Sequence, residues 1–173
     1  FRQTGRLSPL GALVATALGR EPTAMEQEAQ RIDLMDHRGV AGRVVEFDGD
    51  LALLIGGGGA SLTVFDAIRK HGGRPANYCE IGGNPTEAKI AALTTLLMSK
   101  PGVRRLAVIM NVVNNTRADV IARGVLDGLR AARRDPAETI AVFRIPGSWE
   151  AEAAEIMAGA GIMVQGRECS LDQ

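Results

Sequence analysis

The sequence predicts an α/β domain built on a doubly wound parallel sheet of about five strands, with helices on both faces. Three observations carry this. Short, almost continuously apolar runs recur at residues 51–55, 76–81, 105–113, 139–145 and 161–165, as expected of strands buried on both faces. Between them lie stretches whose apolar residues fall three and four apart, the period of an amphipathic helix. The two patterns alternate through five rounds, and such alternation builds a parallel sheet with right-handed crossovers. For five strands so connected the expected arrangement is flavodoxin-like, with strand order 2-1-3-4-5.

The elements follow in order. Residues 1–44 show no clean period and read as a connector, or the tail of a further portion, packed on a domain spanning 45–173. The first strand, 51–55, stops at four glycines, Gly56 to Gly59, and a helix follows that ends at His71-Gly72-Gly73. After the strand at 76–81, Asn84-Pro85-Thr86-Glu87 places a cap, a first-turn proline and a capping-box acid in sequence. That helix stops at Pro101-Gly102. Thr116 and Asp119 form a second box at the start of the helix over 117–135, after the third strand. The fourth strand, 139–145, leads to a helix that Gly159 and Gly161 terminate before the last strand, 161–165.

Composition narrows the function classes. The chain has 173 residues, 20 basic and 20 acidic, and only 3% aromatic. A net charge of zero offers no electrostatic pull toward nucleic acid or an anionic membrane, and there are few rings for base stacking. No apolar run reaches membrane-spanning length and no signal-peptide pattern opens the chain. Cys79 and Cys169 are far apart and in no CxxC spacing, so they read as free thiols of a reducing, cytoplasmic compartment. The start at Phe1 reads as that of a processed or excised piece.

In a sheet of this order, ligands bind beyond the carboxyl ends of the strands, where the order reverses. Two loops face that crevice: Gly56-Gly57-Gly58-Gly59 after the first strand, and Asn111 to Arg117 after the third. Each opens a helix and so offers backbone N–H groups and a positive dipole end to a carboxylate or phosphate. Tight packing alone explains the glycines equally well, and a cap alone explains Asn114-Asn115-Thr116 equally well. A dinucleotide site would use an acid such as Glu80 after the second strand, a weak signal. There is no GxxxxGK[ST] phosphate loop. The strand ends lack the aspartates of a phosphoacceptor receiver, and the aromatic walls of a flavin site are missing. His37 and His71 have no partner at metal-ligand spacing, and His71 ends a helix, where a cation complements the dipole.

The stretch from Asp48 to Ile90, DGDLALLIGGGGASLTVFDAIRKHGGRPANYCEIGGNPTEAKI, resembles the carboxy-terminal domain of the succinyl-CoA synthetase β subunit. The matching residues are Asp48-Gly49, Gly57, Gly59, Asp66, His71-Gly72-Gly73, Pro75-Ala76-Asn77, Gly82-Gly83 and Thr86. The likeness continues through Asn111, Arg117, Asp119, Ile121, Ala122 and Gly124. Phe1-Arg2-Gln3 and Glu28-Ala29-Gln30 resemble the end of that family's ATP-grasp portion and its link to this domain. The resemblance implies an ADP- or GDP-forming carboxylate–CoA ligase working with an α subunit. In that family the ATP-grasp portion uses ATP or GTP with Mg2+, a histidine of the α subunit carries the phosphoryl group, and CoA is held mainly by the α subunit. This domain would supply a helix amino end, near Thr116, to the phosphate or carboxylate. The chain itself would hold no catalytic residue and no metal, and would be inactive alone.

The departures from the family pattern fall at the substrate. Gly56 stands where the family usually has an asparagine that holds the substrate carboxylate. The segment Asn111 to Asp119 is one residue shorter than its counterpart and lacks the glycines there. Gly56, Gly57, Asn114, Asn115, Thr116 and Arg117 are therefore the expected substrate- and phosphate-binding residues, and the expected acid is not succinate, or not only succinate. Two other accounts stay open: a stand-alone module holding a nucleotide or CoA, and an assembly domain, able to self-associate, with Trp149 at a contact.

Overall fold

The computed structural model describes residues 19–171; the Phe1-Arg2-Gln3 part of the resemblance lies outside them. In chain order the described residues form α1 (Ala24–Asp33), β1 (Val40–Glu46), β2 (Leu51–Gly56), α2 (Gly59–Lys70), β3 (Asn77–Gly82) and α3 (Glu87–Ser99). They continue with β4 (Arg105–Met110), α4 (Ala118–Ala131), the single turn α5 (Pro136–Thr139), β5 (Ile140–Arg144) and α6 (Glu150–Ala158). The sheet has the order β1-β3-β2-β4-β5. β3, β2, β4 and β5 run parallel, in the relative order expected, while β1 lies antiparallel on β3.

The expected order fails at both edges. Residues 161–165 form no strand; they follow β5 with a backbone bond from Gln165 N–H to Phe143 O (2.9 Å). Met163 there is 80% exposed, so only one side of this segment is buried. The fifth strand is instead β1, whose residues 40–44 the sequence reading places with the connector. Gly42 disguises it. A Cβ there would lie 2.1 Å from the carbonyl oxygen of Ala29, so the residue that breaks the strand pattern is the one that lets α1 cross the sheet edge.

The core divides by sheet face. Ala52, Leu54, Leu106 and Val108 pack with Ala29 of α1, Ile90, Leu93 and Leu97 of α3, Ile121 and Val125 of α4, and Met157 of α6. Leu53, Ile55 and Ala107 face the other way onto Val64, Phe65 and Ile68 of α2. Helices thus cover both faces, α1, α3, α4 and α6 on one and α2 on the other.

Local chemistry sets the helix ends. The His71-Gly72-Gly73 run is a Schellman stop: Gly73 N–H donates to Ile68 O (2.8 Å), Gly72 N–H to Arg69 O (3.1 Å), and Gly72 sits at φ +82°. At α3 the cap is Thr86, whose hydroxyl accepts from Lys89 N–H, and not Asn84. Lys89 is fully buried, with its ammonium on the carbonyls of Asp36 and Arg38 (both 2.9 Å) and 3.3 Å from the Asp36 carboxylate. It pins α3 to the segment between α1 and β1.

α1 is held by a second buried charge. Glu26 closes a capping box with Thr23, takes two bonds from Arg20 (2.6 and 2.8 Å) and accepts from Glu46 N–H (2.9 Å). The Arg20 hydrogen bonds, opposed by burial, lower the Glu26 carboxyl from 4.5 to about 2. Because the folded-state value is depressed, the stabilisation is complete above the unfolded value and disappears as pH falls toward 2. It amounts to at most about 3 kcal/mol. Glu26→Gln is expected to lower stability at neutral pH and flatten its decline between pH 5 and 2 in urea titrations. An unchanged acid limb would show that other carboxylates dominate it.

Candidate functional site

The carboxyl ends of β3, β2, β4 and β5 bring four loops together. Gly56 is the buried last residue of β2 and pairs with Met110 of β4. Its carbonyl accepts from Asn111 N–H (3.2 Å), which ties the glycine turn to the loop after β4. A Cβ at Gly56 would fall 2.4 Å from both the Ile81 carbonyl oxygen and the Met110 methyl. The position is a wall between strands, with no room for a side chain. Gly57 and Gly58 take φ of +119° and +60° and turn the chain into α2.

That turn is clamped from β3. Gly58 N–H donates to Glu80 Oε1 (2.9 Å), and Ser61 Oγ donates to Gly58 O (2.6 Å). With the Ser61 proton so used, the Tyr78 hydroxyl donates to Ser61 Oγ (2.6 Å). Glu80 here caps a helix; the ribose-binding acid of a dinucleotide site has a different task.

The loop after β4 is held by its neighbours on both sides. Thr116 is buried and its Oγ1 accepts from Asn84 N–H (3.3 Å), while Arg117 N–H donates to Asn84 Oδ1 (3.4 Å). Asn84, at φ +58°, serves as the bracket between the β3 and β4 loops. On the other side Val113 bridges Gly147, and Ala118 N–H donates to Ser148 O (3.1 Å). Asn114 and Asn115 project from the held loop and are exposed.

The predicted Thr116–Asp119 capping box does not form. α4 begins at Ala118 with Arg117 at its cap position, because Thr116 is drawn to Asn84 and Asp119 to two guanidiniums. Arg117 bonds both Asp119 oxygens (3.0 and 2.8 Å), and Arg123 adds a third contact (2.8 Å) while also reaching Glu87 (2.9 Å). Burial opposes ionisation of Asp119, but these hydrogen bonds outweigh it and hold the carboxyl below its ordinary value. Arg117 also lies 3.9 Å over the ring of Trp149, itself 45% exposed. Two N–H groups and one anionic position at the start of α4 are thus already in use by the chain.

Arg144 is a residue that the sequence pattern does not single out. It ends β5 and is only 6% exposed. Its guanidinium donates to the carbonyls of Met110 and Cys169 (2.8 Å each), so it sits where β4 gives way to the Asn111 loop. Register places it beside Ile109, on the face covered by α2. A guanidinium carries five donors and fits a planar carboxylate with two of them. The signal in the sequence was a single arginine in the otherwise apolar run over 139–145.

The two cysteines are free; Cys79 is buried on β3, and burial pushes its thiol well above the usual range. His71 is the exposed C-cap of α2. Among the described residues no cluster of three His, Cys, Asp or Glu is placed to hold a metal, and no helix is long and apolar enough to cross a membrane.

The chain is similar to known proteins over most of its length. The family model described as "ATP citrate lyase citrate-binding" matches residues 20–160. The chain is 43% identical over 119 residues to the succinate–CoA ligase [ADP-forming] β subunit of Methanothermobacter thermautotrophicus, covering 68% of the chain and 31% of that protein. Identity to the corresponding subunit of Desulfurococcus amylolyticus is 32% over 147 residues, covering 84% and 35%. The chain thus spans about a third of the length of these relatives. In fold it superposes with a TM-score of 0.73 on ATP citrate lyase from Methanothrix soehngenii in complex with citrate and coenzyme A, at 22% identity over 90% of this chain and 45% of that one. The chain belongs to the ATP citrate lyase citrate-binding family and is a CoA-ligase family domain, similar over most of its length to part of the succinate–CoA ligase β subunit.

Proposed function

We propose that the chain is the acid-binding domain of an ADP- or GDP-forming carboxylate–CoA ligase, and that its acid is citrate or a closely related polycarboxylate in preference to succinate. The observation that carries this is that the glycine turn and the Asn111–Arg117 loop meet at the β2/β4 switch point, with the buried Arg144 of β5 bonded to Met110 O at the end of β4. The family description, citrate-binding, agrees with it.

In this reading the glycine turn lets a carboxylate approach the backbone opening α2. Asn114 and Asn115 present amide donors from a loop fixed by Asn84 and Ser148. Arg144 supplies the charge. Gly56 and Gly57 shape the wall, and Thr116 and Arg117 hold the loop in place instead of touching the acid. Fixed donors of this kind stabilise developing charge without reorganising during the reaction. ATP or GTP with Mg2+ is assigned to an ATP-grasp portion, and CoA mainly to an α subunit carrying the phosphohistidine. The catalytic groups in this reading lie outside residues 1–173.

Calorimetric titration of the chain tests the acid. Citrate is expected to bind more tightly than succinate, and Arg144→Gln to weaken citrate by roughly ten- to a hundredfold, the worth of a charge-assisted bond. Asn114→Ala, on an exposed side chain, gives a smaller loss without affecting stability. In the complete enzyme, succinate as the best substrate by a wide margin in kcat/KM would sink the proposal.

A further inference from the structure

The net charge of zero conceals a polarised surface. At the end of the sheet opposite the acid crevice, a depression of about 690 Å3 opens where β2, β3 and β4 begin. It is lined by Arg74, Lys100, Arg104 and Arg134 against two carboxylates, Asp48 and Asp50. We propose that this depression is a second anion site, taking a small phosphate-bearing ligand of the pyrophosphate or nucleoside-polyphosphate class. It lies a full strand length, roughly 20 Å, from the acid crevice, and does not depend on the function assigned to that crevice.

Two features argue for a site over a random patch. The cradle is rigid: Asp50 N–H and Leu51 N–H both donate to Arg74 O (3.0 and 3.1 Å), and Arg104 N–H donates to Asp50 O (2.9 Å). These bonds fix the backbones that carry Arg74 and Arg104 before any ligand arrives, which lowers the ordering cost of binding. The charges also exceed what the neighbouring helices require. Lys100 follows α3 and Arg134 follows α4, where a cation complements the dipole. Arg74 and Arg104 lead into β3 and β4 and have no helix end to serve. Arg104 meets Asp50 at 2.6 Å and Lys100 pairs with Glu46, while Arg134 bonds a carbonyl, Val103 O, at 3.3 Å. Guanidiniums in this setting match phosphate oxygens with paired donors.

The test is calorimetric titration of the chain with inorganic pyrophosphate at low and physiological salt. Saturable binding that weakens with salt is expected, with Arg74→Ala and Arg134→Ala each reducing affinity about fivefold, the effect of losing one exposed charge-assisted contact. Arg31→Ala, which removes the same charge from α1, should leave affinity within about twofold. All three side chains are exposed, and circular dichroism confirms that the variants fold. Equal weakening by all three variants would overturn the site in favour of diffuse attraction. Absence of saturable binding at low salt, or binding of polyglutamate but not of pyrophosphate, would overturn it as well, the latter in favour of an acidic protein segment.

Discussion

Asn77→Ala is expected to cost about 3 kcal/mol of stability, roughly 6–12 °C in Tm for a domain of this size. Asn77 and Leu53 are both fully buried. The Asn77 side chain accepts from Leu53 N–H (3.0 Å) and donates to Leu53 O (2.9 Å), so one amide replaces a missing rung between β3 and β2. Alanine would strand both main-chain groups of a central strand away from water, and each unpaired group costs about 1–3 kcal/mol. Asn77→Asp is expected to be at least as damaging, because a carboxylate cannot donate to the Leu53 carbonyl and brings a buried charge. Urea denaturation of the two variants checks this. A loss below about 1 kcal/mol for both would mean that the strands close the gap without the side chain. The asparagine of the Pro75-Ala76-Asn77 run is therefore a part of the sheet.

Gly56→Asn, which installs the residue usual in the succinyl-CoA synthetase family, is expected to destabilise the domain by about 3 kcal/mol or more and to gain no succinate affinity. The Cβ alone would meet the Ile81 carbonyl oxygen and the Met110 methyl at 2.4 Å. The methyl can rotate away, but the carbonyl belongs to β3 and is fixed by the sheet. Relief would require β2 and β3 to separate at the point where Gly56 also binds Asn111. Thermal melts and succinate titration of the variant check both halves. A stable Gly56→Asn that binds succinate more tightly would show that the strand ends open readily and that this position selects the acid. The double variant Gly56→Asn with Met110→Ala separates the causes: if the side chain is the obstacle, stability returns in part, and if the carbonyl is, it does not.

Apolar runs and helical spacing depend on neighbours a few residues away, so β2, β3, β4, β5 and the helices between them are legible as a pattern. The Schellman stop at His71-Gly72-Gly73 is legible for the same reason, being closed by bonds within six residues. The switch-point rule then places the glycine turn and the Asn111 loop at one crevice. Neither α4 nor α3 starts at its expected cap, because Thr116 and Asn84, 32 residues apart, prefer each other to their own helices. β1 was hidden because its glycine answers to α1, and Lys89 because its partners lie more than 50 residues back.

By itself the sequence determined the fold class, the order of four parallel strands and the strand ends at which the glycine turn and the Asn111 loop meet, since each follows from local periodicity and connection rules. The tertiary structure decided what the residues there do. It made Gly56 a wall, Glu80 a cap, Asn77 a rung and Arg144 a buried cation beside the end of β4. Each of those roles is set by a carbonyl or amide contributed from a distant part of the chain, and contacts of that kind have no period to read.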